Sequence, residues 1–185
     1  LSVMQASRFK RLSFDPFPEF DVRTERLTMR PLSEADLPAF HEIAGQKSVA
    51  RMLVNLAHPL EFEAAKKWVH QRRFRGRLGF MVGIFDDSNT LVGAVGLGGI
   101  STALVYFFGV SARRKGYASE ALPAFLDYCQ KRFALKTIFA GVFTDNDASR
   151  KILERNGFAV AKTSSFQSPA RDLEDEIWEM ECSFD

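Results

Sequence analysis

The spacing of apolar residues along the chain predicts alternating strands and helices. Nearly unbroken apolar runs at 80–85, 91–97 and 104–110 are typical of strands covered on both faces. Apolar residues three and four positions apart predict amphipathic helices at 33–45 and 60–73, and a third that ends near Phe133. Shorter segments complete the pattern: strands at 27–29, 136–143, 160–166 and 176–184, a helical turn within 48–59, and a helix from Asn146 or Asp147 to Asn156.

Some single positions carry specific expectations. The helix at 60–73 is predicted to bury Phe62 together with Ala65, Trp68 and Val69. Gly109, near the end of the third apolar run, predicts a β-bulge or a close backbone approach.

These elements predict one α+β domain with a mostly antiparallel sheet. A chain of 185 residues suffices for one hydrophobic core and hardly for two. We place this domain at 23–185 and an N-terminal arm, partly disordered, at 1–22. The arm mixes basic and aromatic residues, so it could pack on the domain or contact RNA; a packed or disordered terminus is the commoner case.

Charge and cysteine content narrow the function classes. The 25 lysines and arginines nearly balance the 23 acidic residues, and a net charge of +2 argues against bulk nucleic-acid binding. Cys129 and Cys182 form no metal-binding spacing and the three histidines are scattered, so we expect no metal. No membrane-length apolar run or leader-like segment is present. These features predict a soluble cytoplasmic protein with reduced thiols.

The most informative stretch is a basic turn between the third apolar run and the long helix. It reads Arg113-Arg114-Lys115-Gly116-Tyr117-Ala118. The first N–H groups of a helix are unpaired and carry partial positive charge. Small residues at two of these positions let an anion approach that backbone, and three cationic side chains raise the local potential. The turn therefore predicts an anion cradle.

The residues of this turn also allow a simpler interpretation. Gly116 could be an ordinary turn residue, and the three cations a solvated corner. Neither the GxxxxGK[ST] nor the GxGxxG phosphate motif occurs here, so those nucleotide sites are not indicated.

The helix at 60–73 has a basic polar face and a basic exit. Its cations are Lys66, Lys67, Arg72, Arg73, Arg75 and Arg77. Cations near a helix C-terminus are favourable by themselves, which favours a solvated face. The alternative is a docking surface for an acidic peptide or for rRNA.

Three segments resemble one enzyme family. Arg113-x-x-Gly116-x-Ala118, after a strand and at a helix start, resembles the Q/R-x-x-G-x-G/A acyl-CoA signature of the GNAT N-acetyltransferases. The sequence RRKGYASEAL is especially similar to the matching segment of the RimJ/RimL branch, which acetylates ribosomal-protein N-termini. The segment from Asn146 through Ser149 to Phe158 is similar to that branch's second signature, and TERLTMRPL at 24–32 resembles its opening strand. The resemblance extends from about residue 23 to the C-terminus.

The resemblance implies a fold and a set of roles. It implies a GNAT-like fold, in which acetyl-CoA, used as cosubstrate, lies between splayed central strands of a twisted sheet flanked by helices. Backbone N–H groups from Arg114 to Ala118 would bind the pyrophosphate, and Arg113 would add charge. Strand N–H groups from Phe108 to Val110 would polarise the thioester carbonyl. Asn146 and Ser149 would contact the CoA arm, and Ser149 would protonate the leaving sulfur.

From the residues alone, these last two positions have structural interpretations as well. Asn146 is suited to be a helix N-cap, a role compatible with cofactor contact. Ser149 could be a first-turn serine that satisfies local backbone groups.

Two positions depart from the family pattern. Many GNAT enzymes have a tyrosine where this chain has Leu153, and many close relatives have a glutamate base where it has Ala103. Neutralising a lysine-like amine at pH 7 costs about 4–5 kcal/mol, whereas an α-amine costs about 1–1.4 kcal/mol. A site without an evident side-chain base is therefore better suited to an α-amino group. We predict acetylation of a protein or peptide N-terminus.

Other functions remain open from the sequence. The acceptor could be a small-molecule amine such as a polyamine, an aminoglycoside or an amino acid. The domain could also be an inactive acyl-CoA-binding module, which Ala103 and Leu153 would favour. Acceptor choice is expected in the loops at 48–59 and 167–175, and the protein is expected to be a monomer or a homodimer.

Overall fold

The structure is a computed structural model that describes residues 19–184. Eight strands and five α-helices follow in chain order: β1 (Val22–Arg23), β2 (Leu27–Arg30), α1 (Leu37–Ala44), α2 (Lys47–Ala50), α3 (Phe62–Gln71), β3 (Phe80–Asp86), β4 (Leu91–Leu97), β5 (Leu104–Phe108), α4 (Tyr117–Phe133), β6 (Thr137–Phe143), α5 (Asp147–Arg155), β7 (Ala159–Phe166) and β8 (Asp175–Ser183). Short 3₁₀ turns lie before α1 and after β5. The apolar periodicities of the sequence predicted nearly all of these elements.

The strands form two antiparallel sheets. Strands β1 to β5 make a five-stranded sheet in sequence order, and β6, β8 and β7 make a three-stranded sheet with β8 in the middle. The α+β prediction with a mostly antiparallel sheet is confirmed. Short connections join β1 to β2, β3 to β4 and β4 to β5, and short connections favour antiparallel neighbours.

Helices cover the five-stranded sheet on both faces. One face packs on α4 through Leu122, Phe125 and Cys129, and this core continues into the three-stranded sheet. The other face packs on α1 and α3 through residues such as Phe40 and Trp68. Because both faces are covered, the central strands are apolar at nearly every position.

Three local predictions are wrong in whole or in part. Strand β5 ends at Phe108 rather than at residue 110, because the chain enters a 3₁₀ turn at Val110–Ala112. The β4–β5 pairing has no register shift up to Phe108, so Gly109 does not mark a bulge; the group that closely approaches its backbone is the side chain of Ile43, 3.3 Å from where a Cβ would lie. Phe62 is 40% exposed because it lies at the start of α3, outside the packed stripe.

The two sheets meet along β5 and β6 but separate after their first residues. Ala103 and Phe139 form an isolated parallel bridge, and the backbone N–H of Phe139 donates to the carbonyl of Thr102 at 3.3 Å. Beyond this point each strand belongs to its own sheet. A gap therefore opens towards the C-terminal ends of the two strands.

The predicted arm at 1–22 falls mostly outside the described residues. Within residues 19–184, Phe20 is buried against Phe74 and Tyr128, and β1 pairs with β2. None of the helices in this part of the chain is long and apolar enough to cross a membrane.

Candidate active site

The basic turn leads directly into α4 and is open to solvent. Residues Arg113 to Gly116 are exposed. Arg114 has a φ of +61° and Gly116 a φ of +78°, so two left-handed residues lie within three positions. Gly116 is the N-cap of α4, and no side chain caps this helix end. Left-handed residues beside an uncapped helix start turn successive N–H groups towards one point, which suits an anion.

Arg26 braces this turn, and the sequence did not single it out. Its guanidinium donates to the carbonyl of Lys115 at 3.0 Å and pairs with Glu120 at 2.7 Å. Burial alone would raise the pKa of Glu120, but hydrogen bonds from Thr24 and Arg26 outweigh burial and lower it. Glu120 therefore stays charged, and its carboxylate pairs with the guanidinium of Arg26 rather than with the N–H groups of the turn. The signal in the sequence that could have identified Arg26 is its place in the TERL segment.

The side chain of Arg113 contacts α2. Its guanidinium donates to the carbonyl of Ser48 in α2 at 3.1 Å. This contact joins the turn to the loop at 48–59, one of the two loops predicted to determine acceptor specificity. The role of Arg113 towards a pyrophosphate stays a prediction.

The end of β5 differs from the prediction in its hydrogen bonding. Phe108 is half-buried and pairs with Gly93 of β4. The backbone N–H of Val110 donates to Oε1 of Gln46 at 3.0 Å. Polarisation of a carbonyl by Val110 would require this bond to open, and the same role for the strand backbone at Phe108 stays a prediction.

Asn146 and Ser149 lie at the start of α5, beside the gap between the sheets. Asn146 is the N-cap, and its Oδ1 accepts from the backbone N–H of Ser149 at 3.3 Å. The predicted cap is therefore present. Ser149 is half-buried, and its Oγ lies 2.7 Å from the phenol oxygen of Tyr106 on β5. Tyr106 was missed in the sequence because a tyrosine within an apolar strand looks like core.

The two departures from the family pattern are also clear in the structure. Leu153 is fully buried in the main core, and Ala103 forms the bridge between the sheets.

Asp145, which precedes the Asn146 cap, pairs with Arg171 and Arg51 at 2.9 Å each. The hydrogen bond from Arg171 lowers the pKa of Asp145 despite partial burial. A carboxylate held in this way is a poor proton acceptor.

The two predicted acceptor loops are joined by one arginine. Arg171, only 5% exposed, donates to the carbonyl of Arg51 at 2.7 Å and pairs with Asp175 at 2.7 Å. Its guanidinium lies over the ring of Phe143 at 3.7 Å. Nearby, the buried hydroxyl of Ser168 donates to the carbonyl of Leu53 at 2.8 Å. These bonds hold the loops at 48–59 and 167–175 against each other.

The basic face of α3 is partly neutralised. Glu34 lies 2.6 Å from His70 and 3.6 Å from Lys66. Arg72 stacks over Trp68 at 4.2 Å, and burial lowers its pKa. These contacts favour the interpretation of a structural, solvated face.

Comparison with known proteins decides the family. The model of the acetyltransferase (GNAT) domain matches residues 26–159. The chain belongs to the GNAT acetyltransferase family. It is an N-acetyltransferase. One relative is YoaA, an uncharacterized N-acetyltransferase of Bacillus subtilis (strain 168). The two chains are 26% identical over 145 residues, which cover 74% of this chain and 81% of YoaA.

Solved structures share the fold of this GNAT domain. RimL, a ribosomal L7/L12 alpha-N-protein acetyltransferase in complex with coenzyme A, superposes with a TM-score of 0.74 at 18% identity, covering 90% of this chain and 99% of that one. Spermidine N-acetyltransferase from Vibrio cholerae, in complex with CoA and spermine, gives 0.72 at 19% identity, with coverages of 85% and 95%. At these identities the likeness shows the fold alone.

Within residues 19–184, no group of three or more histidine, cysteine, aspartate or glutamate side chains could hold a metal ion.

Proposed function

We propose that this GNAT domain transfers the acetyl group of acetyl-CoA to the α-amino group of a protein or peptide, as the RimJ/RimL branch does. One observation carries the proposal. The hydroxyl of Ser149, in the first turn of α5, is hydrogen-bonded to Tyr106 of β5, the strand that leads into the basic turn at Gly116, and Ala103 stands where close relatives have a carboxylate base.

The cradle would hold the pyrophosphate of acetyl-CoA. Backbone N–H groups at Arg114, Lys115, Gly116, Tyr117 and Ala118 would donate to its oxygens, with exposed cationic side chains nearby. Asn146 would contact the pantetheine arm in the gap. The strand backbone at Phe108 would donate to the thioester oxygen as it becomes negative.

The chemical step needs a neutral amine and a proton for the departing sulfur. The amine nitrogen attacks the thioester carbonyl carbon, the C–N bond forms, and the C–S pair leaves on sulfur. Ser149 would give its hydroxyl hydrogen to the sulfur and regain one from water, which takes up the proton that the amine loses.

The electrostatics around the gap favour an acceptor of low pKa. Asp145 is paired with two guanidinium groups, so its carboxylate is a poor general base. An α-amino group, with a pKa of about 7.7–8.0, is substantially neutral near pH 8 without help, whereas a lysine amine is not.

A second candidate is a domain that binds acyl-CoA without turnover. The buried Leu153 and the bridging Ala103 favour it, because both remove groups that relatives use for proton transfer. A small-molecule amine acceptor is a third outcome of the same experiment, since spermidine N-acetyltransferase has the same fold.

The test is an acceptor panel with acetyl-CoA. We offer peptides with free α-amines, matched peptides with a blocked N-terminus and a single lysine, polyamines and aminoglycosides, and measure kcat/KM at pH 8. We expect peptides with free α-amines to be favoured about 100-fold, because at pH 8 about half of an α-amine but less than about 1% of a lysine amine is neutral. A preference for any high-pKa amine would contradict the proposal, and binding of acetyl-CoA without turnover would establish the second candidate.

The proposed location is the cytoplasm. Both Cys129 and Cys182 are free and buried, as is usual in a reducing compartment.

A substitution of the cradle glycine separates cofactor binding from general stability. Gly116→Ala places a Cβ on a residue with φ of +78°, which costs about 1–2 kcal/mol in that conformation. Relief of this strain rotates the peptide and turns its N–H away from the anion. We expect the Kd for CoA, measured by calorimetry, to rise about tenfold, which is 1.4 kcal/mol.

Gly157→Ala is the matched control for this substitution. Gly157 has a φ of +85°, and an added Cβ would lie 3.4 Å from its nearest neighbour, compared with 3.5 Å at Gly116. The two variants should therefore lose similar stability. Only the change at Gly116 should weaken CoA binding; equal CoA affinity in the two variants would argue against the cradle.

A further inference from the structure

Tyr106 is the one polar side chain of β5, and it reaches across the gap. Strand β5 otherwise contributes Leu104, Val105, Phe107 and Phe108. The ring of Tyr106 packs against the main core, and its hydroxyl lies 2.7 Å from Oγ of Ser149. The hydrogen bond thus connects the five-stranded sheet to the first turn of α5.

The phenol is the better donor in this pair. A tyrosine hydroxyl is far more acidic than a serine hydroxyl, so the shared hydrogen belongs to Tyr106 and Oγ of Ser149 accepts it. The carbonyl of Ser149, at 3.5 Å from the phenol oxygen, is a much weaker acceptor. With its oxygen accepting from Tyr106, the hydroxyl hydrogen of Ser149 is free to point into the gap.

Tyr106 stays protonated under any ordinary assay condition. Burial raises the pKa of Tyr106 to about 12, and the hydrogen bond with Ser149 offsets only part of that effect. The phenol therefore keeps its proton between pH 7 and 9.5. It is therefore a permanent donor.

We propose that Tyr106 is a positioning residue for acetyl transfer, which orients the hydroxyl of Ser149 towards the leaving sulfur and stabilises its oxygen as the proton moves. This inference rests on the proposed function, because it takes the role of Ser149 as given. As the hydrogen of Ser149 passes to sulfur, negative charge develops on Oγ, and the hydrogen bond from Tyr106 strengthens. Tyr106 keeps its own proton throughout.

The test needs no acceptor amine, so it is independent of the acceptor. We measure the Kd of CoA and of acetyl-CoA between pH 7 and 9.5 and follow the ratio of acetyl-CoA Kd to CoA Kd. Only CoA has a thiol that ionises, so the ratio cancels every other titration. A hydrogen bond to the thiolate favours the charged form, and the ratio should rise about tenfold with pH in the wild type. We expect a rise of about twofold in Tyr106→Phe and none in Ser149→Ala.

Kinetics provide the second readout once an acceptor is known. Tyr106→Phe should lower kcat about 3- to 10-fold and leave KM for acetyl-CoA unchanged. In the Ser149→Ala background the same change should have no further effect, because the two groups act as a unit. Tyr128→Phe is the control, since Tyr128 is a half-buried tyrosine of the same core and should leave both the ratio and kcat as in the wild type.

Two results would overturn this role for Tyr106. One is a wild-type pH dependence of the affinity ratio in Tyr106→Phe. The other is a loss of kcat that multiplies with that of Ser149→Ala. Failure of the proposed function looks different, since CoA would bind with the expected pH dependence while no amine is acetylated.

Discussion

Ser149→Ala is expected to lower kcat about 10- to 100-fold with little change in KM for acetyl-CoA. A hydrogen bond to a charged group contributes about 1.5–3 kcal/mol, and the charge on sulfur develops only in the transition state. The effect falls short of the largest acid-catalysis effects because a thiolate, with a thiol pKa of about 8.5, is already a reasonable leaving group.

The control for this variant is Ser164→Ala. Ser164 donates to Glu179 at 2.6 Å on the three-stranded sheet and lies on no element of the gap. We expect its kcat to match that of the wild type in the same peptide assay. Full turnover by Ser149→Ala would remove the leaving-group role of Ser149 and leave the cradle untouched.

Arg171→Met is expected to cost about 2–3 kcal/mol of stability and lower Tm by about 5–10 °C. The side chain of Arg171 is 5% exposed and is held by Asp145, Asp175 and the carbonyl of Arg51. Methionine preserves much of the volume but removes the donor from these acceptors, and Asp145 keeps only its pair with Arg51. The loss is smaller than for a fully buried pair because both carboxylates are nearly half exposed and can be hydrated.

Thermal unfolding with and without acetyl-CoA measures this effect. The matched control is Arg23→Met, which removes an exposed pair with Asp21 and should shift Tm by no more than about 2 °C. We also expect KM for the peptide to rise in Arg171→Met while KM for acetyl-CoA holds, because the loops at 48–59 and 167–175 lose their connection. An Arg171→Met protein as stable as the Arg23→Met control would show that the loops are held by other contacts.

The basic turn and the Asn146 cap are local features of the chain, and such features could be predicted from the sequence. The basic turn, its glycine and the helix after it are contiguous, so local spacing and backbone chemistry predicted them. The cap at Asn146 was predicted for the same reason, since a cap and its helix are neighbours in sequence. The bounds of β5 were less well predicted, because the strand pairing that ends at Phe108 depends on β4.

Contacts between distant segments could not be predicted in this way. Arg26 and Glu120 are 94 positions apart, Tyr106 and Ser149 are 43 apart, and Arg171 and Arg51 are 120 apart. No periodicity relates such pairs.

The sequence by itself determined most of the strands and helices, the basic turn before α4 and the resemblance to the GNAT family, because each depends on spacing within short segments. Only the tertiary structure decided what faces the gap. Three features depend on how the two sheets pack: the separation of β5 from β6, the partner of Ser149, and the arginine that joins the loops at 48–59 and 167–175. That packing is set by side-chain volumes and by contacts between distant segments together.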